Sequence, residues 1–330
     1  MDARIQTAIA LDCPTNPIFI VGAPRSGTTW LAKIFDSHPD VLYRHEPDQY
    51  LPAPPDLHEA DLPGLFAAWC RDTSLRTAAK RPFFRKSWQP APLRLTRLAL
   101  AYGMMAATRL PLPQPFRWAI PDLGDTSKAR PVIKTVEWCD GIGLAARHLP
   151  DSRTVVILRR PRGQVFSVMR GARQRRFELR QSGDMPLNET RAMAHAARRG
   201  IDPADFMALP EAARYAWDWV AFNETIEQGV AGRTNVRTVL YEDLCERPEE
   251  LARELLDFAG LPWHQQTEAF VRESTTASSD GRYYGVFQNA IRAANRWRTD
   301  MPISDQKAVA AVARQSALAR HWPDLLREEA

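Results

Sequence analysis

The sequence predicts an α/β protein, a three-layer sandwich in which a central parallel β-sheet lies between layers of helices. Five short apolar runs alternate with longer stretches of helical periodicity, at residues 17–21, 41–43, 131–135, 154–158 and 236–240. Continuous rather than alternating apolar residues are typical of strands covered on both faces, and helical connections join strands that run in parallel. A glycine-containing loop directly after the first run is the second indication.

That loop lies within residues 17–30, Pro-Ile-Phe-Ile-Val-Gly-Ala-Pro-Arg-Ser-Gly-Thr-Thr-Trp. The apolar run ends at Gly22, and an amphipathic helical pattern begins at Thr28. Backbone N–H groups at the start of a helix, together with the positive end of its dipole, bind phosphate oxygens. Gly27 allows the backbone to approach such a ligand closely. The segment therefore predicts a strand, a phosphate-binding turn and a helix.

The loop differs from that of a nucleoside triphosphatase in one position. Gly22 and Gly27 keep the spacing G-x-x-x-x-G-K-[ST], but Thr28 occupies the position of the lysine that contacts the β- and γ-phosphates. The cation lies instead inside the loop, at Arg25. The pattern predicts phosphate binding without the usual machinery for triphosphate cleavage.

Residues 24–31, Pro-Arg-Ser-Gly-Thr-Thr-Trp-Leu, resemble the 5′-phosphosulfate-binding loop of sulfotransferases that use 3′-phosphoadenylyl sulfate (PAPS). The resemblance implies a P-loop-NTPase-like sulfotransferase fold, with PAPS as sulfuryl donor and 3′,5′-ADP as product. An arginine in this loop is more typical of the carbohydrate and tyrosyl-protein branches. The donor-binding residues implied here are Arg25, Ser26, Gly27, Thr28, Thr29 and Trp30.

A second basic segment lies within residues 154–167, which contain the fourth predicted strand and the residues after it. It resembles the family's 3′-phosphate-binding segment, which implies that Arg159 and Ser167 bind the 3′-phosphate. A guanidinium offers a fork of donors to phosphate, and a hydroxyl in the following helix can complete the site. The family often has an aspartate where this chain has Arg160.

Two later segments extend the resemblance. Residues 236–244 resemble the family's Tyr-Glu-Asp-Leu segment, which implies that Tyr241 lies against the adenine. Spacing alone equally fits a half-buried tyrosine at a strand end. Arg296 and Arg298 precede a predicted last helix at about 304–318 and stand where many members close the 3′-phosphate site, although the glycine-rich form of that loop is absent.

The catalytic base requires a different assignment from that of the cytosolic branch. That branch has Lys-Thr-His after the third strand, whereas this chain has Lys134-Thr135-Val136, and valine cannot accept a proton. The exit of the second strand resembles the segment in which the other branches use a glutamate, here Glu46. The assignment implies Glu46 as base, with Arg25 and Lys134 stabilising charge. His45 and Glu137 are alternative bases, and a surface ion pair between Glu46 and Arg44 is the non-catalytic alternative.

Composition sets the remaining expectations. The chain has 330 residues, 45% of them hydrophobic, which is ample for one large core. We expect one domain over 1–330, with a helical insertion at about 52–128 and a C-terminal helical and basic-loop region at about 262–330. The longest apolar stretch, 98–107, is shorter than the roughly 20 residues that span a bilayer. The four cysteines are scattered and no metal-ligand spacing occurs, so we expect a cytoplasmic, metal-independent enzyme.

The basic residues do not by themselves decide which ligand or acceptor the chain binds. Arg170, Arg173, Arg175, Arg176 and Arg180 lie close together, and either attract an anionic nucleotide or acceptor or form a solvated helix face. Nucleic acid is not expected, because only Phe177 is interleaved with them. The expected acceptor is a carbohydrate or another small-molecule alcohol. The competing functions are a small-molecule kinase, which would turn over ATP with magnesium, and a catalytically silent nucleotide-binding protein.

Overall fold

The computed structural model describes residues 16–110, 117–173, 188–276 and 290–327. Five strands form one sheet: β1 Ile18–Val21, β2 Val41–His45, β3 Arg130–Thr135, β4 Arg153–Leu158 and β5 Val236–Leu240. The strand order is β2-β3-β1-β4-β5, and every neighbouring pair is parallel. The five predicted strands are thus confirmed within two residues at each end.

Helices connect the strands and complete the chain. The α-helices are α1 Thr28–Asp36, α2 Leu62–Arg71, α3 Leu75–Ala78, α4 Ala91–Ala107, α5 Ile142–His148, α6 Pro161–Arg173, α7 Glu189–Ala197, α8 Pro203–Ala208, α9 Glu211–Val230, α10 Tyr241–Glu246, α11 Pro248–Phe258, α12 Gln265–Thr276, α13 Ala290–Asn295, α14 Trp297–Asp300, α15 Ile303–Ala313 and α16 Pro323–Arg327. Short 3₁₀ helices occur at Pro47–Gln49, Glu59–Asp61, Thr126–Lys128 and Ala317–His321.

The sheet has a hydrophobic core on each face, as the continuous apolar strands predict. On one face, Ile18 and Ile20 of β1 pack with residues of α1, α10, α11 and α12. On the other face, Phe19 and Val21 pack with residues of α2, α5 and α9. All four β1 side chains are fully buried. The predicted three-layer sandwich is therefore confirmed.

The strand order determines where a ligand can bind. β1 lies between β3 and β4, so the chain passes over β1 as it goes from one to the other. Ligands of open parallel sheets bind beyond the carboxyl ends of the strands, where the order of the connections reverses. The loop after β1 lies at that point, and the segments after β3 and β4 flank it.

The aromatic residues between β2 and β3 lie in separate clusters: Trp69 packs with Phe66 and Trp138, whereas Phe84 packs on Phe270. The C-terminal segment differs from the sequence prediction. The last predicted helix, at about 304–318, ends at Ala313. Ser316 Oγ accepts a hydrogen bond from Leu318 N and starts a separate 3₁₀ helix, which carries the apolar pattern onward.

Several predicted features fall partly outside the described residues. Arg175, Arg176, Phe177 and Arg180 of the basic cluster lie there, as does Cys13. Cys70, Cys139 and Cys245 are buried free thiols. Among the helices described, none combines the length and the apolar character needed to cross a membrane.

The central strand supports a stability prediction. Phe19 is fully buried, with its ring centroid 4.9 Å from that of Phe66. We expect Phe19→Ala to lower the free energy of unfolding by about 3–5 kcal/mol, because it removes a core ring and leaves a cavity. Leu95→Ala, at a helix position that is 61% exposed, is the control and should change it by less than about 0.5 kcal/mol. Equal urea-unfolding midpoints for the two variants would contradict this core.

Candidate active site

The predicted phosphate-binding loop connects β1 directly to α1. Gly27 is the N-cap of α1 with φ 101°, and no side chain among the described residues caps the helix. Arg25 also has a left-handed backbone, with φ 70°, and Ser26 N donates to Ala23 O at 3.0 Å. The turn leaves the first N–H groups of α1 and the positive end of its dipole available to an anion.

Tyr241, the first residue after β5, packs against this loop. A Cβ placed on Gly27 would lie 2.4 Å from the Tyr241 ring, so only glycine fits there. The rings of Tyr241 and Trp30 meet edge-on, with centroids 6.3 Å apart. The sequence-predicted residues of the β1 and β5 loops are therefore in direct contact.

Arg159, which follows β4, connects the two predicted anion-binding segments. Its Nη1 donates to Arg25 O at 2.8 Å, and its guanidinium lies 4.4 Å from the centroid of the Tyr241 ring. Arg25 Nε in turn donates to Ser167 Oγ at 3.4 Å. Arg25, Arg159, Ser167 and Tyr241 thus form one contiguous group, although 142 residues separate Arg25 from Ser167.

Two buried polar atoms in this group fit an anionic ligand. Ser26 Oγ and Arg159 Nε are buried and find no hydrogen-bond partner among the described residues. Ser26 is fully buried and Arg159 is 7% exposed. Because leaving such donors unsatisfied is costly, a ligand with phosphate oxygens would relieve the penalty.

The other predicted basic residues lie around the start of α6. Arg160 extends away from the loop, with its Nη1 2.6 Å from Asp324 Oδ2. Arg298 lies over the Trp297 ring, at 4.8 Å from its centroid, and donates to Asn295 Oδ1. Arg296 is half-buried at the N-cap of α14. The described contacts do not join Arg296 or Arg298 to the phosphate-binding loop.

Glu46 and Lys134 form a buried ion pair at the carboxyl ends of β2 and β3. Lys134 Nζ donates to Glu46 Oε1, and Glu46 N donates to Lys134 O at 2.7 Å. Glu46 is only 4% exposed and has φ 50°, a conformation that costs a non-glycine residue about 1–2 kcal/mol. Arg44 pairs instead with Asp122, at 2.6 Å, so the surface pair considered for Glu46 does not form.

The register of the neighbouring strands shows where the Glu46–Lys134 ion pair lies relative to α1. Lys134 aligns with Ile20 of β1 and with His45 of β2. Aligned residues of parallel strands point to the same face, and Ile20 faces α1. Lys134 therefore lies on the face of the sheet that carries α1, one strand away from β1.

His45 is buried beside this pair. Its Nδ1 is 2.8 Å from Tyr43 Oη, and its Nε2 is 3.7 Å from Glu46 Oε1. Burial lowers the pKa of His45 well below its usual value, although the negative charge of Glu46 opposes the shift. His45 is consequently neutral at physiological pH and a weak base.

Asp48 is a buried carboxylate that the sequence reasoning did not identify. Its Oδ2 accepts hydrogen bonds from Thr135 Oγ1 and, at 3.3 Å, from Glu137 N. Burial raises the pKa of Asp48 to about 6, and the charge of Glu46 adds to the shift. Partial burial and the charges of Asp48 and Glu46 raise the pKa of Glu137 as well. An acidic residue two positions after Glu46 was the only signal in the sequence.

A cleft of about 770 Å³ opens beside the phosphate-binding loop. Ala23 and Pro24 of the loop form one wall, and Val136 and Glu137 after β3 form the next. Residues of α6, of the start of α7 and of α9 complete it. Glu137 thus borders the cleft, whereas Glu46 lies buried behind the end of β3.

Comparison with known proteins adds independent findings. A model of the Sulfotransferase family matches residues 17–265. An uncharacterized protein of Aquifex aeolicus (strain VF5) is 25% identical over 297 residues, covering 86% of this chain and 30% of that protein. Carbohydrate sulfotransferase 3 of Homo sapiens is 35% identical over 74 residues, covering 22% of this chain and 15% of that protein.

Solved structures are also similar to this chain. Mouse sulfotransferase SULT7A1 complexed with PAP has a TM-score of 0.48 and 14% identity, covering 98% of this chain and 93% of that one. The sulfotransferase domain from the curacin biosynthetic pathway has a TM-score of 0.45 and 15% identity, covering 91% and 97%. The chain spans less than a third of the length of the curated relatives it matches.

Asp48 makes a pH-dependent prediction. Because its pKa is raised from 3.8 to about 6, the folded state retains a proton that the unfolded state has lost. Stability should fall as pH rises from about 4 through about 6, by about 3 kcal/mol at most. We expect Asp48→Asn to remove this fall in urea unfolding measured between pH 4.5 and 7.5. The exposed Asp257→Asn is the control, and a pH dependence unchanged by Asp48→Asn would contradict the assignment.

Proposed function

This chain belongs to the Sulfotransferase family, and on that premise we propose that it transfers a sulfuryl group from PAPS to an acceptor hydroxyl or amine, releasing 3′,5′-ADP. The expected acceptor is a carbohydrate or another small-molecule alcohol. The observation that carries the proposal is the contact of Arg159 with Arg25 and Tyr241, which brings the two proposed anion-binding segments together.

The donor would be held at both of its charged ends. The N–H groups that begin α1 and the hydroxyls of Ser26, Thr28 and Thr29 would bind the 5′-phosphosulfate, with Gly27 allowing close approach. Arg159 and Ser167 would bind the 3′-phosphate, with Tyr241 and Trp30 beside the nucleoside. The unsatisfied Ser26 Oγ and Arg159 Nε support this placement, because both would gain an oxygen acceptor.

The chemistry is an in-line displacement at sulfur. The acceptor oxygen or nitrogen forms a bond to sulfur while the bond from sulfur to the 5′-phosphate oxygen breaks and its electron pair leaves with 3′,5′-ADP. The protein must therefore accept the proton of the acceptor and stabilise negative charge on the leaving phosphate. Arg25 and the start of α1 would stabilise the leaving group, and Lys134 the sulfuryl oxygens.

Glu46 is the proposed base. Its strained backbone and buried pairing with Lys134 are features that concentrate at functional sites. Lys134 would exchange Glu46 for the sulfuryl oxygens when the donor binds, which makes the carboxylate a stronger proton acceptor. Glu137 is the alternative base, because it borders the cleft and its pKa is raised.

Incubation with labelled PAPS and pools of alcohol, phenol, amine and sugar acceptors tests the function directly. We expect labelled product together with stoichiometric 3′,5′-ADP. Turnover of ATP with magnesium, and no product from PAPS, would indicate a kinase instead. Binding of 3′,5′-ADP without product from any pool would indicate a silent nucleotide-binding protein.

Paired variants decide which carboxylate is the base. We expect Glu46→Gln to lower kcat by about 10²–10⁴-fold and to leave 3′,5′-ADP affinity unchanged, since a general base contributes to turnover and not to donor binding. Glu137→Gln should retain most of its turnover, and Glu254→Gln on the exposed surface of α11 is the charge-matched control. Full activity of Glu46→Gln with loss of turnover in Glu137→Gln would transfer the role to Glu137.

Arg159 makes a prediction about donor binding. We expect Arg159→Met to weaken 3′,5′-ADP binding about 10- to 100-fold, because a charge-assisted hydrogen bond to phosphate contributes about 1.5–3 kcal/mol. Methionine keeps an apolar chain over Tyr241. Arg253→Met, at an exposed position of α11, is the matched control. Calorimetric titration measures both, and equal affinities would remove the proposed 3′-phosphate site.

A further inference from the structure

Four apolar side chains line part of the 770 Å³ cleft beside the phosphate-binding loop, and charged and polar side chains line the rest. Val165 and Val168 of α6 and Trp219 and Phe222 of α9 line it, and each of these four is at least nine-tenths buried. This surface can cover the hydrocarbon or ring face of a bound molecule.

One buried polar atom in the cleft lacks a partner. Gln164 is 4% exposed, lines the cleft, and its Oε1 finds no donor among the described residues. A buried carbonyl oxygen without a donor is costly, so the site favours a ligand that carries an N–H or O–H group. Ala23 and Pro24 of the loop after β1 line the same cleft as Gln164.

Among the described residues of the lining, carboxylates outnumber guanidinium groups. The four carboxylates are Glu137, Glu189, Glu211 and Asp218, and the two guanidinium groups are Arg191 and Arg214. Both arginines are already paired within the cleft: Arg191 with Asp218 at 2.5 Å, and Arg214 with Glu189 at 2.8 Å.

The two remaining carboxylates leave an excess of negative charge. Glu211 lies 3.4 Å from Arg173, in a pair that is about half exposed and therefore weak. At Glu137, burial is the main cause of the raised pKa, and the negative charges of Asp48 and Glu46 add to it.

We propose that this cleft is the acceptor site and that it selects an acceptor with an apolar body and an ammonium group over one that bears a carboxylate or sulfate. The inference rests on the proposed function and names the acceptor class for it. A cation would gain the attraction of Glu137 and Glu211, whereas an anion would meet the same charges as repulsion. The chemistry corresponds to amino alcohols and to phenols that carry an alkylamine, and it disfavours acidic glycans.

Three probes of similar size separate charge from apolar contact: 2-phenylethylamine, 2-phenylethanol and 3-phenylpropionate. Their binding to the protein saturated with 3′,5′-ADP is measured by ligand-observed NMR titration at low salt. We expect the amine to bind most tightly and the carboxylate most weakly, with about a tenfold difference in dissociation constant between them. Equal binding, a preference for the carboxylate, or binding of none of the three would overturn the proposal.

Two variants locate the effect in the cleft. Glu211→Gln should reduce the amine-to-carboxylate ratio by about threefold, because it removes one rim charge. The same change at Glu254, on the exposed surface of α11, should leave the ratio unaltered. Gln164→Leu, nearly equal in volume, should weaken the amine and the alcohol and leave the carboxylate unaffected. A ratio that responds equally to the Glu211 and Glu254 variants would overturn the proposal.

Failure of this inference is distinguishable from failure of the proposed function. Saturation with 3′,5′-ADP is measured first, without any probe. If the nucleotide does not bind, the proposed donor site fails. If it binds and the three probes show no order by charge, only the acceptor class is wrong.

Discussion

The contact of Arg159 with the loop after β1 is the interaction on which the site depends. Its guanidinium donates to the backbone of Arg25 and lies over Tyr241, so one side chain joins the carboxyl ends of β1, β4 and β5. A parallel sheet makes this possible, because all of its strands end at the same edge. Segments that are 134 residues apart in the chain therefore become neighbours. Displacement of Arg159 would separate both proposed anion sites at once.

On the other side of the site lie buried charged side chains, and burying a charge does not by itself stabilise a fold. Glu46 and Lys134 are paired out of solvent, and Asp48 is buried beside them with a raised pKa. Replacing such pairs by apolar residues is often neutral or stabilising, so their presence calls for an explanation beyond stability. Exchange of Lys134 between Glu46 and a sulfuryl group provides one, because a carboxylate held in low dielectric becomes a better proton acceptor when its cation moves away.

Sequence patterns predicted the features that depend on residues close together in the chain. The five strands could be predicted because each is a short apolar run, and the β1 loop because its glycine spacing and its basic residue adjoin a strand and a helix. Asp48 could not, because its environment is created by Thr135, the last residue of β3, and by Glu137, two residues after it, which are 87 and 89 residues away in the chain. The same holds for the acidic cleft, whose charges come from two separate helices and the segment after β3. The helix predicted at about 304–318 ends at Ala313, and Ser316 then starts a separate 3₁₀ helix. The apolar pattern continues through both elements, so it does not reveal the break between them.

Calorimetric comparison of 3′,5′-ADP with 5′-AMP on the unmodified chain tests the central claim most directly. The two nucleotides differ only in the 3′-phosphate, which would contact Arg159 and Ser167. Two phosphate-binding segments at the ends of one adenosine predict that 3′,5′-ADP binds at least about tenfold more tightly, as expected for one charge-assisted phosphate contact. Equal affinity for the two nucleotides would contradict the account.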